Sequence, residues 1–154
     1  MGEPMATQGE ITIRPMTEDD IEAVLAIDRK IAGPDRATTY DTLPSSYVGG
    51  ELDLSVVAEA NGKIVGFLLG RIQHSPFEEA TAFLLELIGV DPAYRRHGLG
   101  KRMVEAFETQ CRHKGGGCAI RTMVSWHDWW MLSFLRSLGF ARGDMAEFVK
   151  RIEE

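Results

Sequence analysis

Along Glu10 to Pro15 apolar and polar residues alternate, with Ile11 and Ile13 on one side and Thr12 and Arg14 on the other, which predicts a short first strand. The period then lengthens. Thr17-Glu18-Asp19-Asp20 has the form of an N-cap with an acidic first turn, and Ile21, Val24, Leu25, Ile27 and Ile31 continue at helical spacing. The acids there, with Glu22, could attract an amine substrate, but complementing the helix dipole is the simpler reading. From Ala32 to Gly50 the pattern weakens, broken by Gly33-Pro34, Leu43-Pro44 and Gly49-Gly50, and leaves room for one short helix. Leu52 to Ala60 and Lys63 to His74 are apolar-rich strands joined by Asn61-Gly62, the pair that a two-residue hairpin turn demands. Ala80 to Val90 is a further strand after the loop at Ser75 to Glu79.

The segment Val90-Asp91-Pro92-Ala93-Tyr94-Arg95-Arg96-His97-Gly98-Leu99-Gly100-Lys101-Arg102 follows. Pro92 lacks an N–H and ends the ladder. Leu99, Met103, Ala106, Phe107 and Cys111 then form the stripe of an amphipathic helix that stops at Gly115-Gly116-Gly117. Cys118 to Val124 reads as a strand, Ser125-x-x-Asp128 as a capping box before a helix over Trp129 to Leu138, and Phe140 to Ile152 as a final strand interrupted near Gly143-Asp144. The order is β-α-(α)-β-β-β-α-β-α-β, a mixed sheet flanked by helices.

The turn between the strand at Ala80 to Val90 and its helix carries Arg95, Arg96, His97, Gly98, Gly100, Lys101 and Arg102, with no acid from Ala93 to Val104. Such a helix start offers unpaired N–H groups and a partial positive charge, and glycines let an anion approach them. Arginine adds a forked donor set and Lys101 a point charge. The spacing excludes a P-loop, which needs Gly-Lys-Ser/Thr, and a dinucleotide fingerprint, which needs glycine at Met103. A phosphate-bearing ligand is expected here.

Arg95-x-x-Gly98-x-Gly100 after Val90-x-Pro92-x-Tyr94 resembles the acyl-CoA signature of the GNAT superfamily of N-acyltransferases, and Asp128 to Phe140 is similar to its second segment, which ends Leu138-Gly139-Phe140. The resemblance implies a GNAT-like α/β (α+β) fold, a largely antiparallel sheet of six to seven strands with about four helices. The length of the chain suits one such domain over residues 10–154, behind a small, polar and disordered tail, residues 1–9. The resemblance implies acetyl-CoA as cosubstrate, with Arg95, Arg96, His97, Gly98, Leu99, Gly100 and Lys101 holding its diphosphate. Ile88, Gly89 and Val90 then meet the thioester, whose acyl group passes directly to an amine. The sequence departs from the family at Asp128, commonly Asn, and at Leu135, commonly the Tyr that protonates the departing thiolate.

Composition narrows the partners. The net charge of −6, from 17 basic and 23 acidic residues, argues against nucleic acid and makes the basic turn a local island. The 44% hydrophobic content is ordinary for a globular domain, and no apolar run approaches the ~18 residues of a membrane span. With no signal peptide visible, a cytoplasmic location is expected, and Cys111 and Cys118 read as buried thiols. No metal-ligand spacing is present.

For chemistry, Glu86 stands out as a carboxylate inside Phe83-Leu84-Leu85-Glu86-Leu87-Ile88, suited to take the amine's proton, with a salt-bridged edge residue as the plainer reading. His127, with Asp128, is the reserve base, although capping explains Asp128 more simply. Tyr40, Tyr47 and Tyr94 are possible replacements for the missing acid. Trp126, Trp129 and Trp130 read first as core packing, and otherwise as an acceptor pocket or the face of a homodimer. The alternatives to transfer to a small amine are a CoA-binding regulatory module without chemistry and an unrelated nucleotide-phosphate binder.

Overall fold

A computed structural model describes residues 10–33, 54–73, 81–115 and 117–153. The chain forms two compact units, Met1–Met123 and Val124–Glu154. The first holds a five-stranded sheet of β1 (Ile11–Pro15), β2 (Val56–Ala60), β3 (Lys63–Gln73), β4 (Thr81–Val90) and β5 (Gly117–Arg121), hydrogen-bonded in sequence order. The β1–β2, β2–β3 and β3–β4 pairs are antiparallel and β4–β5 is parallel. The hairpin joining β2 to β3 turns at Asn61 and Gly62, with φ of 51° and 80°, as the residue pair requires.

Helix α1 (Ile21–Ala32) is preceded by a 3-10 turn, Glu18–Asp20. Asp20 is buried. Its carboxylate accepts the Thr17 amide at 2.8 Å and two Arg14 guanidinium bonds at 2.8 and 2.9 Å, while Arg14 also donates to Glu59 on β2 at 2.8 Å. This ties the start of α1 to the sheet.

Val24 and Ile27 of α1 bury against Met16, Val57, Phe67 and Leu69. Helix α2 (Leu99–Lys114) packs closely over Gly66 and Gly70 of β3, through Met103 and Phe107. Successive strand residues face opposite sides, so α1 over Phe67 and Leu69 and α2 over Gly66 and Gly70 cover opposite faces of the sheet. Burying a residue such as Phe67 or Phe107 contributes about 1.5–3 kcal/mol.

In the second unit Asp128 caps α3 (Trp129–Ser137), its Oδ1 accepting the Met131 amide at 3.0 Å. Ser125 makes a separate turn by accepting the His127 amide at 3.1 Å, so the expected capping box is instead a single aspartate cap. Trp126, Trp129 and Trp130 are exposed rather than core residues. Trp130 stacks on Phe134 at 5.9 Å, and the Arg142 guanidinium lies 5.9 Å from the Trp126 ring centre.

Two expectations change. The final strand over Phe140 to Ile152 does not form, and the described residues hold five strands and three α-helices rather than six to seven and about four. A strand exists only where another strand completes its hydrogen bonds, and apolar residues in 140–152 cannot specify that partner. The short helix expected between Ala32 and Gly50 lies largely outside the described residues.

Candidate active site

The end of β4 is anchored before the basic turn begins. The Asp91 amide donates to the Val65 carbonyl at 2.8 Å, and the buried Asp91 carboxylate accepts the Ala93 amide at 3.0 Å and Lys30 Nζ at 2.9 Å. Burial works against the charged form of Asp91, but the Ala93 amide and the Lys30 ammonium outweigh it and hold the carboxyl below the usual range. Lys30 belongs to the last turn of α1, so helix and turn are clamped together.

Pro92–Tyr94 form a 3-10 turn, and the chain then takes positive φ at Arg96 (74°) and Gly98 (68°) before α2 starts at Leu99. The Arg102 amide donates to the Gly98 carbonyl at 3.1 Å and closes the first turn of the helix, leaving the amides of Leu99, Gly100 and Lys101 without a carbonyl inside it. Arg95, Arg96, Gly98 and Lys101 are exposed and His97 is half-buried. Arg102 is directed elsewhere, its guanidinium donating to the Ile11 carbonyl at 2.8 Å. With no acid in the first turn of α2 and no Cβ at Gly98, the surface fits a diphosphate.

Beside this turn the sheet opens. The β4–β5 ladder runs from Thr81 and Gly117 to Leu84 and Arg121, and Thr122 Oγ1 then donates to the Leu85 carbonyl at 2.8 Å. Among the described residues no strand continues along β4 from Glu86 to Val90. Because the Asp91 amide faces β3, alternation turns the N–H groups of Ile88 and Val90 to the open edge, while Gly89 pairs with Phe67. A side chain at Gly89 would meet the Phe67 ring at 2.7 Å and Ile31 at 2.9 Å.

Glu86 stands at a β-bulge. Leu69 opposes Leu87 and Gly70 opposes Leu85, which leaves Glu86 as the extra residue on β4. The bulge keeps Glu86 on the same face as Leu87 and Gly89 instead of turning it to the α2 side. Burial pushes its carboxyl above the ordinary range. Arg71 Nε lies 2.6 Å from Glu86 Oε1, but its N–H is not aimed at that oxygen, so the ion pair lacks a hydrogen bond. The desolvation of Glu86 therefore prevails over the neighbouring cation.

Sequence patterning missed Arg71, although it had the signal that singled out Glu86, a lone charge in an apolar strand. It also gave Asp91 no role beside Pro92. His127 and Asp128 lie in the second unit, both exposed, with Asp128 engaged as the α3 cap. Leu135 is buried and offers no proton. Tyr94 is half-buried in the 3-10 turn, while Tyr40 and Tyr47 lie outside the described residues. Cys111 lies on the buried face of α2, and its thiol is pushed up to about 12 by burial and by Glu108.

The sequence profile of the acetyltransferase (GNAT) family matches residues 21–142, which takes in β4, the turn, α2 and α3. The chain belongs to the GNAT acetyltransferase family. Acetyl-CoA is accordingly the cosubstrate, and the turn at Arg95 to Lys101 has the donors to receive it. Solved structures share the GNAT fold at low identity. An aminoglycoside N-acetyltransferase, AAC(6')-Iy, in complex with CoA is 22% identical over 92% of this chain and 94% of its own, with a TM-score of 0.73. The aminoglycoside 6'-N-acetyltransferase AAC(6')-IG from Acinetobacter haemolyticus is 19% identical over 92% and 99%, also at 0.73. A transcriptional regulator from Bacillus halodurans C-125 reaches the same score at 18% identity over 92% and 99%. No curated protein sequence matches the chain. The described residues contain no helix long and apolar enough to cross a membrane.

Proposed function

We propose that this GNAT protein transfers the acetyl group of acetyl-CoA to a primary amine by direct attack of the amine on the thioester. The observation that carries the reading is the bulge at Glu86, which sets a carboxylate of raised proton affinity on the strand whose open edge leads into the basic turn. Arg95, Arg96, His97, Leu99, Gly100 and Lys101 hold the diphosphate by main-chain amides and positive charge, with Gly98 keeping the surface bare. The outward N–H groups of Ile88 and Val90, with Gly89 between them, polarise the acyl carbonyl.

The amine's proton is the main obstacle. A primary amine of pKa ~10.4 is neutral about once in 2,000 at pH 7, a deficit of roughly 4.6 kcal/mol. Glu86 takes one proton from the ammonium and frees its lone pair; as the N–C bond then forms and the C–S bond breaks, the nitrogen's second proton passes to the departing thiolate. Acetyl-CoA supplies the activated acyl group and CoA leaves as the thiol, whose pKa of ~8.5 demands little help from an acid. His127 is the reserve base, and neither cysteine forms an acyl intermediate. The AAC(6') relatives are aminoglycoside N-acetyltransferases, which supports an amine acceptor here.

The buried Leu135 and the cap role of Asp128 favour a second reading, a CoA-binding module without transfer chemistry. Thiol release from acetyl-CoA across a panel of amines, alongside calorimetric CoA binding, separates the two. Transfer requires release above the uncatalysed rate that collapses in Glu86→Gln. Binding without release in any amine supports the module instead.

A further inference from the structure

Arg71 and Glu86 form a charge pair whose chemistry is incomplete. Arg71 opposes Leu84 across the β3–β4 ladder, and alternation puts Glu86 at the diagonal position on the same face. The Arg71 Nε atom is buried and, among the described residues, has no hydrogen-bond acceptor, although Glu86 Oε1 is 2.6 Å away. The side chain as a whole is 43% exposed, so part of the guanidinium faces solvent. A guanidinium presents donors in a plane that matches a carboxylate, and a buried donor left without a partner is uncommon enough to require a reason.

Building on the transfer reaction proposed above, we infer that the acceptor is an amine that carries a carboxylate close to its nitrogen, an amino-acid-like zwitterion whose carboxylate binds Arg71 while Glu86 receives the amine's proton. The pair presents adjacent positive and negative groups, and such an acceptor presents the same two charges in the opposite order. The carboxylate of such an amine meets the exposed part of the Arg71 guanidinium, while the buried Nε stays against Glu86. A polycation such as an aminoglycoside would instead set its remaining ammonium groups against the Arg71 guanidinium. The shared fold thus carries a different charge preference from that of its aminoglycoside-modifying relatives.

Matched acceptors provide the test: a set of L-amino acids, the same amino acids as amides, the corresponding decarboxylated amines, and a polyamine, each with acetyl-CoA. The expected result is a kcat/KM for carboxylate-bearing acceptors at least about tenfold above that of their amides. Arg71→Met should bring the ratio close to one with the KM for acetyl-CoA unchanged, and Arg71→Lys should keep part of the preference. The inference is overturned if amides, decarboxylated amines or the polyamine react as fast, if the preference survives Arg71→Met, or if no carboxylate-bearing amine is acetylated. Acetylation confined to the other amines sinks the inference and leaves the transfer reaction standing, whereas bound acetyl-CoA with no transfer to any amine sinks both. The wild-type comparison decides the matter even if Arg71→Met does not fold.

Discussion

A methyl group on Gly70 would lie 2.3 Å from Cε2 of Phe107 and 2.8 Å from its Cζ, so the ring of α2 occupies the space a side chain on β3 would need. Gly70 is also held from the other direction, its amide donating to the buried Ser55 hydroxyl at 3.1 Å. The close approach of helix and sheet helps set the level at which α2 begins, next to the end of β4. Gly70→Ala is expected to destabilise the protein by roughly 1–3 kcal/mol in urea unfolding. Adding Phe107→Leu should recover part of that loss, although Phe107→Leu alone costs stability. Losses that simply add would show that the two residues do not compete for this space.

Gly98 has φ of 68°, which a residue with a side chain adopts at a cost of about 1–2 kcal/mol. Gly98→Ala should therefore weaken CoA binding at least about tenfold in calorimetry, through strain and through a Cβ placed against the diphosphate. Arg95→Ala and Arg96→Ala should weaken it less, and more at low salt than at high salt. An unchanged Kd in Gly98→Ala would move the diphosphate away from this turn.

Glu86 must be ionised to take a proton, and burial raises its proton affinity. The acid limb of the kcat/KM profile should therefore fall above the ordinary glutamate value of ~4.3, with the rate lost as pH drops through it. Glu86→Gln should lower kcat by about 10²- to 10⁴-fold and remove that limb. A limb that persists in Glu86→Gln would transfer the role to another base, with His127 next in line.

The Asp91 carboxyl is depressed in the folded protein, so its stabilising effect is present above the unfolded value of ~3.9 and is lost as pH falls through the folded one. Asp91→Asn is expected to cost roughly 1–3 kcal/mol at pH 7, because Lys30 and the Ala93 amide lose a charged acceptor. The gap between the two proteins should narrow on acidification below pH ~4. Lys30→Met should cost less, since more than half of that side chain is in solvent. Thermal melts across pH measure both.

Cys111 should resist thiol reagents in the native state at pH 8, because its thiol is buried and titrates only near 12. In a Cys118→Ser background the reaction should start only as urea unfolds the protein. Fast labelling of the native form would mean that α2 opens without global unfolding.

The turn after β4, the hairpin and the amphipathic helices could be read from the chain because each depends on neighbouring residues. Asn61-Gly62 is tied to a positive φ, Pro92 to a missing donor, and the Leu99 to Cys111 stripe to the helical period. The same reading isolated Glu86 as a charge in an apolar strand. It failed at Phe140 to Ile152, where apolar spacing suggested a strand but could not provide one to pair with.

What remained for tertiary structure was the placement of charges between distant segments. The bulge at Glu86 is a property of the register between β3 and β4, and it sets the carboxylate on the same face as Leu87. The contacts of Arg71 with Glu86 and of Lys30 with Asp91 join residues on different elements, the second pair 61 positions apart. Local preferences determine which elements form and where anions are welcome. Register and burial, which depend on the whole sheet, determine which side chains meet and how readily each holds a proton.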